Sequence, residues 1–216
     1  MTHSLHRRGD KESLKKDFLI LSSTAKGFND GWYRGMGQEF MRICLKHNPV
    51  NGGDMKTGNF LYVDPEEIVE KCTNSTILEF TYDNKQDVIE AIKEFKDRDI
   101  GVSVVISGMS DEVDDICEQA GLPKVHTREY SLGTTGKVRL LPEYEVLEFT
   151  TMCGHAMVAS EIVKKMIVDA KKGNVTLREA AVQMGKCCSC GNFNVNRAVE
   201  LMEKNAPLWT ADDRVY

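Results

Sequence analysis

Four cysteines stand where packing does not explain them. Cys153 follows Thr150-Thr151-Met152 and precedes Gly154 and His155, while Cys187, Cys188 and Cys190 crowd into Lys186-Cys187-Cys188-Ser189-Cys190-Gly191-Asn192. The other three have an ordinary place. Cys72 lies four residues after Ile68, Cys117 four after Val113, and Cys44 close to Phe40 and Met41, all on apolar helix faces, where a free cysteine packs as a small hydrophobe. Thiolates bind metals, and a helix N-terminus lowers a thiol's pKa by offering N–H donors and partial positive charge. Helices expected after His155 and after Asn194 would do this for Cys153 and Cys190.

The spacing C-x33-C-C-x-C has neither the paired C-x2-C of structural zinc nor the C-x2-C-x2-C of ferredoxins. Cys153, Cys190 and one of Cys187 and Cys188 suit a [4Fe–4S] cluster with one iron lacking a protein thiolate. Adjacent cysteines on one cluster are awkward, and Cys187 is slightly favoured because C-x2-C is the commoner ligand spacing. An open iron is a Lewis acid, which points to elimination, hydration or sulfur transfer on a small anionic metabolite. The spacing alone resembles that of three-cysteine cluster enzymes such as small-molecule dehydratases and desulfurases. That implies an oxygen-sensitive lyase (hydratase or dehydratase) or desulfurase. Two alternatives stand beside it. One is a non-enzymatic metal-binding module, either an iron–sulfur electron carrier or an interaction protein stabilised by Zn2+ on Cys153, His155 and two later cysteines. The other is a thiol redox protein.

Neighbouring residues could serve such a centre. His155 is a candidate ligand or proton donor. Gly154 and Gly191 would let backbone N–H groups approach bridging sulfides. Asn192 and Asn194 could hydrogen-bond substrate or sulfur, or cap the following helix, and Arg197 could grip a carboxylate. Lys26 and Asn29, in a glycine-rich loop after a strand, could hold an anion at the strand's carboxyl end. Gly133-Thr134-Thr135-Gly136-Lys137 lacks the first glycine and the terminal Ser or Thr of a phosphate loop, so it is expected to be a hairpin turn. G-x-G-x-x-G, H-E-x-x-H and G-x-S-x-G do not occur.

Several elements must position these groups. Residues 17–24, 76–82 and 100–107 predict strands. Residues 65–72, 85–99 and 110–121 predict helices, with Val88, Ile89, Ile92 and Phe95 on one face. Strand–helix–strand order suggests an α/β fold with a mixed or mostly parallel sheet and flanking helices. Residues 144–152 predict a last strand ending at Cys153. Beyond it, 155–172, 176–184 and 195–204 predict helices, the second opened by a Thr176/Glu179 capping box. The division is a basic N-terminal arm over 1–16, an α/β domain over 17–152, and a helical cysteine-rich segment over 153–216, whose tail docks through Trp209.

Composition narrows the class. The 216 residues are 41% hydrophobic and 28% charged, with a net charge of −5. An acidic chain does not suit nucleic acid, and no apolar run is long enough to span a membrane. The N-terminus lacks the apolar core of a secretory signal, and seven cysteines, an odd number, suggest reduced thiols in the cytoplasm. Exposed loops leave room for a homodimer. The basic residues His6, Arg7, Arg8, Lys11, Lys15 and Lys16 are either a solvated terminus or an anion-binding arm over the active site.

Overall fold

The computed structural model describes residues 6–123 and 125–205; the proposed docking of Trp209 lies outside them. In chain order the elements are α1 (Lys11–Leu14), β1 (Phe18–Ser23), α2 (Tyr33–Lys46), β2 (Asn51–Asp54), β3 (Gly58–Asn59), α3 (Pro65–Glu70), β4 (Ile77–Tyr82), α4 (Lys85–Arg98), β5 (Val105–Ser107), α5 (Ser110–Gln119), α6 (Tyr144–Thr150), α7 (Ser160–Lys171), α8 (Leu177–Lys186) and α9 (Val195–Asn205).

The five strands form one sheet in the order β3-β2-β4-β1-β5, and every neighbouring pair is antiparallel. A mixed α/β fold is present; the mostly parallel sheet is not. The reason lies in two split β-α-β units. β4 and β5, joined by α4, point the same way, but β1 inserts between them. β1 and β2, joined by α2, are likewise parallel in direction, with β4 between. Strand–helix–strand order reveals strand direction, not adjacency.

Period-two alternation gives the sheet two different faces. Phe18, Ile20, Leu78, Phe80 and Tyr82 lie on one and form a core with residues of α2, α4 and α5. Phe40 stacks on Phe95 at 4.8 Å and meets Phe80 edge-on at 6.0 Å. Cys44, Cys72 and Cys117 are buried as small hydrophobes, Cys44 and Cys117 on their helices and Cys72 just past the end of α3, which stops at Glu70. The opposite face carries Asn51 and Thr81, paired across β2 and β4, and receives the C-terminal helices.

Those helices build a second core from Phe149, Val163, Ile167, Ala180, Met184, Phe193, Val195 and Leu201. The capping box opens α8: Glu179 N donates to Thr176 Oγ1 at 3.1 Å and Thr176 N to Glu179 Oε2 at 2.8 Å. Two expectations change. Residues 144–150 are helix α6, not a strand, because Val146 and Phe149, three apart, both face the second core; the helical layer therefore starts before Cys153. The stretch around Gly133–Gly136 makes no ladder and ends in a 3-10 turn at Val138–Leu140.

Candidate metal centre

The buried polar side chains of the second sheet face explain how the cysteine loop is held. Backbone groups of a buried loop need partners, and the sheet supplies them. Asn59 Nδ2 donates to the carbonyl oxygens of Gly185 at 3.1 Å and Cys188 at 2.7 Å. Thr81 Oγ1 donates to Gly191 O at 2.8 Å, and Asn51 Nδ2 to Phe193 O at 3.1 Å. Gly191 adopts φ +84°, and a β-carbon there would stand 2.4–2.8 Å from the backbone of Gly52. Its close approach is thus to the sheet, and this contact sets the position of Cys190.

Opposite lies the turn after α6. Ala156 takes φ 55° there, a conformation in which successive N–H groups converge on one point. The backbone N–H groups of Met157, His155 and Val158 donate to Cys153. Helix α7 begins only at Ser160, so this turn, not a helix N-terminus, stabilises the thiolate. Likewise α9 begins at Val195, five residues past Cys190.

The two segments meet through sulfur. Cys188 stands beside Cys153, and this interaction pulls the Cys153 thiol down to about 6 against the opposing effect of burial, helped by the turn's N–H groups, while it pushes Cys188 well above the ordinary thiol range. Cys188 Sγ lies 3.9 Å from Cys190 Sγ, which lies 3.6 Å from His155 Nδ1. Cys153, Cys188 and Cys190 are each at most 2% exposed, while His155 and Gly154 are half-buried. Cys187 turns away, towards Gln183 O at 3.7 Å, and burial raises its pKa. The order Cys153–Cys188–Cys190–His155 is a row of contacts. Among the described residues no group of three or more His, Cys, Asp or Glu side chains is gathered so as to hold a metal ion as it stands.

A thiol with a depressed pKa loses its proton early in the folded state, so metal-free protein gains stability as pH rises above about 6 towards the ordinary thiol value and loses it as pH falls through about 6. Thiolate ultraviolet absorbance of reduced, metal-free protein is expected to show a step with a midpoint near pH 6 that Cys153→Ser removes. A first step only in the ordinary range of ~8.5 would contradict it.

The remaining candidates separate. Asn194 Oδ1 accepts from Arg197 N at 3.0 Å, a helix cap, and its Nδ2 donates to Asp17 Oδ1 at 3.1 Å. Arg197 is 1% exposed, with Nε on Ser13 Oγ, Nη1 on Asp17 Oδ2 and Nη2 on Arg8 O. Lys26 and Asn29 follow Ser23, whereas the cysteine loop packs near the Leu19–Thr81 end of β1, a six-residue strand of ~20 Å. Lys26 is exposed, and Asn29 ties its own loop by accepting from Ala25 N at 2.7 Å.

One feature was not singled out in the sequence. Asn51-Gly52-Gly53-Asp54 and Gly58-Asn59 are strands that cradle the cysteine loop, signalled only by asparagines and glycines in a turn-like stretch. The N-terminal arm closes over both cysteine segments. Arg8 N donates to Thr151 Oγ1 at 2.9 Å, two residues before Cys153, and Arg7 Nη2 to Asn192 O at 2.6 Å, two residues after Cys190. No family model, curated protein or solved structure matches the chain, so its own residues carry every functional statement.

Proposed function

We propose that Cys153, Cys188 and Cys190 are the protein ligands of a [4Fe–4S] cluster that acts on a small anionic metabolite in lyase or sulfur-transfer chemistry. The supporting observation is the three-plus-one arrangement: three buried cysteines from two segments lie together while Cys187 faces away. Three cysteine sulfurs are the donor type that an iron–sulfur cluster takes, and the neighbouring Cys188 thiol together with the turn's backbone N–H groups holds the Cys153 thiol below the ordinary range, towards the thiolate that binds metal. When bound, the cluster would supply a Lewis-acidic iron without a protein thiolate. His155, beside Cys190, is the residue placed to exchange a proton with substrate.

Two distances favour a second reading, a single tetrahedral ion such as zinc. The 3.9 Å between Cys188 and Cys190 sulfurs and the 3.6 Å between Cys190 Sγ and His155 Nδ1 compare with edges of ~3.8 and ~3.6 Å for a tetrahedron with ordinary zinc bond lengths. His155 would then be the fourth ligand and the centre would serve stability or a partner.

Protein purified without oxygen separates the two. The cluster predicts brown protein with broad absorbance near ~400 nm and about four irons and four sulfides per chain. Colourless protein with one zinc per chain would overturn it in favour of the second reading.

A further inference from the structure

β5 closes the sheet on one side, and its surroundings suit a longer strand than they form. Val102-Ser103-Val104-Val105-Ile106-Ser107 holds four apolar β-branched residues, which favour strand. It carries neither a charge nor a proline, the devices that commonly shield an exposed strand edge. Yet only Val105–Ser107 is strand, because β1 pairs with those residues alone. Beyond the outer edge runs a second stretch, residues 125–130, which joins no helix or strand. Among the described residues no main-chain hydrogen bond links 102–106 to 125–130. A cleft of about 670 Å³ separates the two, lined by every residue of 102–108 and of 125–130. Lining by consecutive residues on both sides is the shape of a slot between two main chains. Its floor is apolar: Ile92 and Phe95 of α4, Val113 and Cys117 of α5, and Leu122.

We infer that this slot takes an extended peptide of a partner protein as an added strand on β5. In such strand addition, main-chain bonds to the edge give affinity, and pockets for alternate side chains give specificity. Val104 and Ile106 pack towards the core that α4 and α5 share with the sheet. Residues of the added strand on that face therefore reach the same apolar floor, and every second one is apolar. Charge fixes one more position. Lys96 lines the slot and donates to Ala120 O at 2.7 Å, with no carboxylate partner among the described residues. An acidic residue at that end of the peptide supplies one. Residues 125–130 wall the slot on its outer side, so a single extended chain enters where the sheet edge of a second folded copy does not fit.

The acetylated and amidated peptide Val-Thr-Val-Thr-Val-Glu tests this on the full chain, with hydrogen exchange of the 102–106 amides as the readout. A Kd below about 1 mM is expected. At a free peptide concentration about tenfold above Kd, the fast-exchanging amides of 102–106 should slow about tenfold. The fully N-methylated peptide keeps the side chains but donates no main-chain hydrogen bond, and it should not bind. Lys96→Glu should weaken the peptide about two- to fivefold and prefer a version ending in Lys by a similar factor. Val113→Trp, which fills the floor, should abolish binding without loss of Tm. Absence of binding to the wild-type chain, or equal binding of the methylated peptide, would overturn the proposal. So would slow exchange of the 102–106 amides in the free protein, because another stretch of chain or a second copy would then already hold the edge.

Discussion

Replacing Gly191 by alanine is expected to destabilise the protein by about 3 kcal/mol or more and to displace Cys190 from the proposed metal centre. Two costs add. At φ +84° a side chain strains the backbone by ~1–3 kcal/mol. The new β-carbon would also stand 2.4 Å from the carbonyl carbon and 2.6 Å from the α-carbon of Gly52. Backbone of a central sheet has no rotamer to yield, so the loop must lift off β2, breaking the bonds from Thr81 and Asn51 and moving Cys190. Gly173 is the internal control. It has φ +74° but open space around a β-carbon, so Gly173→Ala should cost only the conformational part. Thermal unfolding of the two variants isolates the contact, because a chain of this size shifts by roughly 2–4 °C per kcal/mol. Equal losses at the two positions would show that the close approach to Gly52 does not hold the loop.

Asp17→Asn should be as damaging, at about 3–5 kcal/mol, the usual cost of removing one partner from a buried ion pair. The Asp17 carboxylate is fully buried and accepts from Arg7 at 2.6 Å, Arg197 at 3.0 Å and Asn194 at 3.1 Å. Without its charge two buried guanidinium groups keep only neutral hydrogen-bond partners, Asn192 O, Ser13 Oγ and Arg8 O, with the Glu148 carboxylate acting on Arg197 from farther off. Arg197→Met should cost clearly less. It leaves Arg7 and Asp17 as a matched pair, and a methionine fills most of the space. The network is shielded from water, so the gap between the variants should persist at high salt, unlike that of a surface pair. Denaturant unfolding at low and high salt measures both. The order matters for the site, because Asp17 holds Arg7 against Asn192 and ties α1 and β1 to α9. If Asp17→Asn and Arg197→Met cost the same, the two arginines do not depend on one shared carboxylate.

The sequence signals that survived are those carried by local physics. α4 follows from four apolar residues on one helical face, α8 from its capping box, and the three core cysteines from their distance to apolar neighbours. The grouping of Cys153 with the later cysteines was also legible, because three cysteines within four positions of a loop have no packing explanation. What was hidden depended on tertiary partners. β2 is Asn51-Gly52-Gly53-Asp54, with almost no intrinsic strand preference; it is a strand because β4 pairs with it and because Gly191 needs the bare backbone of Gly52. Residues 144–150 alternate well enough for a strand until a second core claims Val146 and Phe149 together. Ligand spacing slightly favoured Cys187 over Cys188, but the last turn of α8 decides their directions. Asn59 fixes the carbonyl of Cys188, and Cys187 is left against Gln183 on the outer side. Arg197 seemed free to grip a substrate only because its partner, Asp17, is 180 residues away in sequence.

Metal and sulfide content of two single variants tests the cysteine centre most directly. Cys187→Ala and Cys188→Ala change neighbouring residues of the same type, yet only Cys188 meets Cys153 and Cys190. Purified without oxygen, Cys187→Ala is expected to keep the wild-type iron and sulfide per chain, and Cys188→Ala to lose most of both. Retention of a full centre by Cys188→Ala, or its loss from Cys187→Ala with Cys188 intact, would contradict the ligand set.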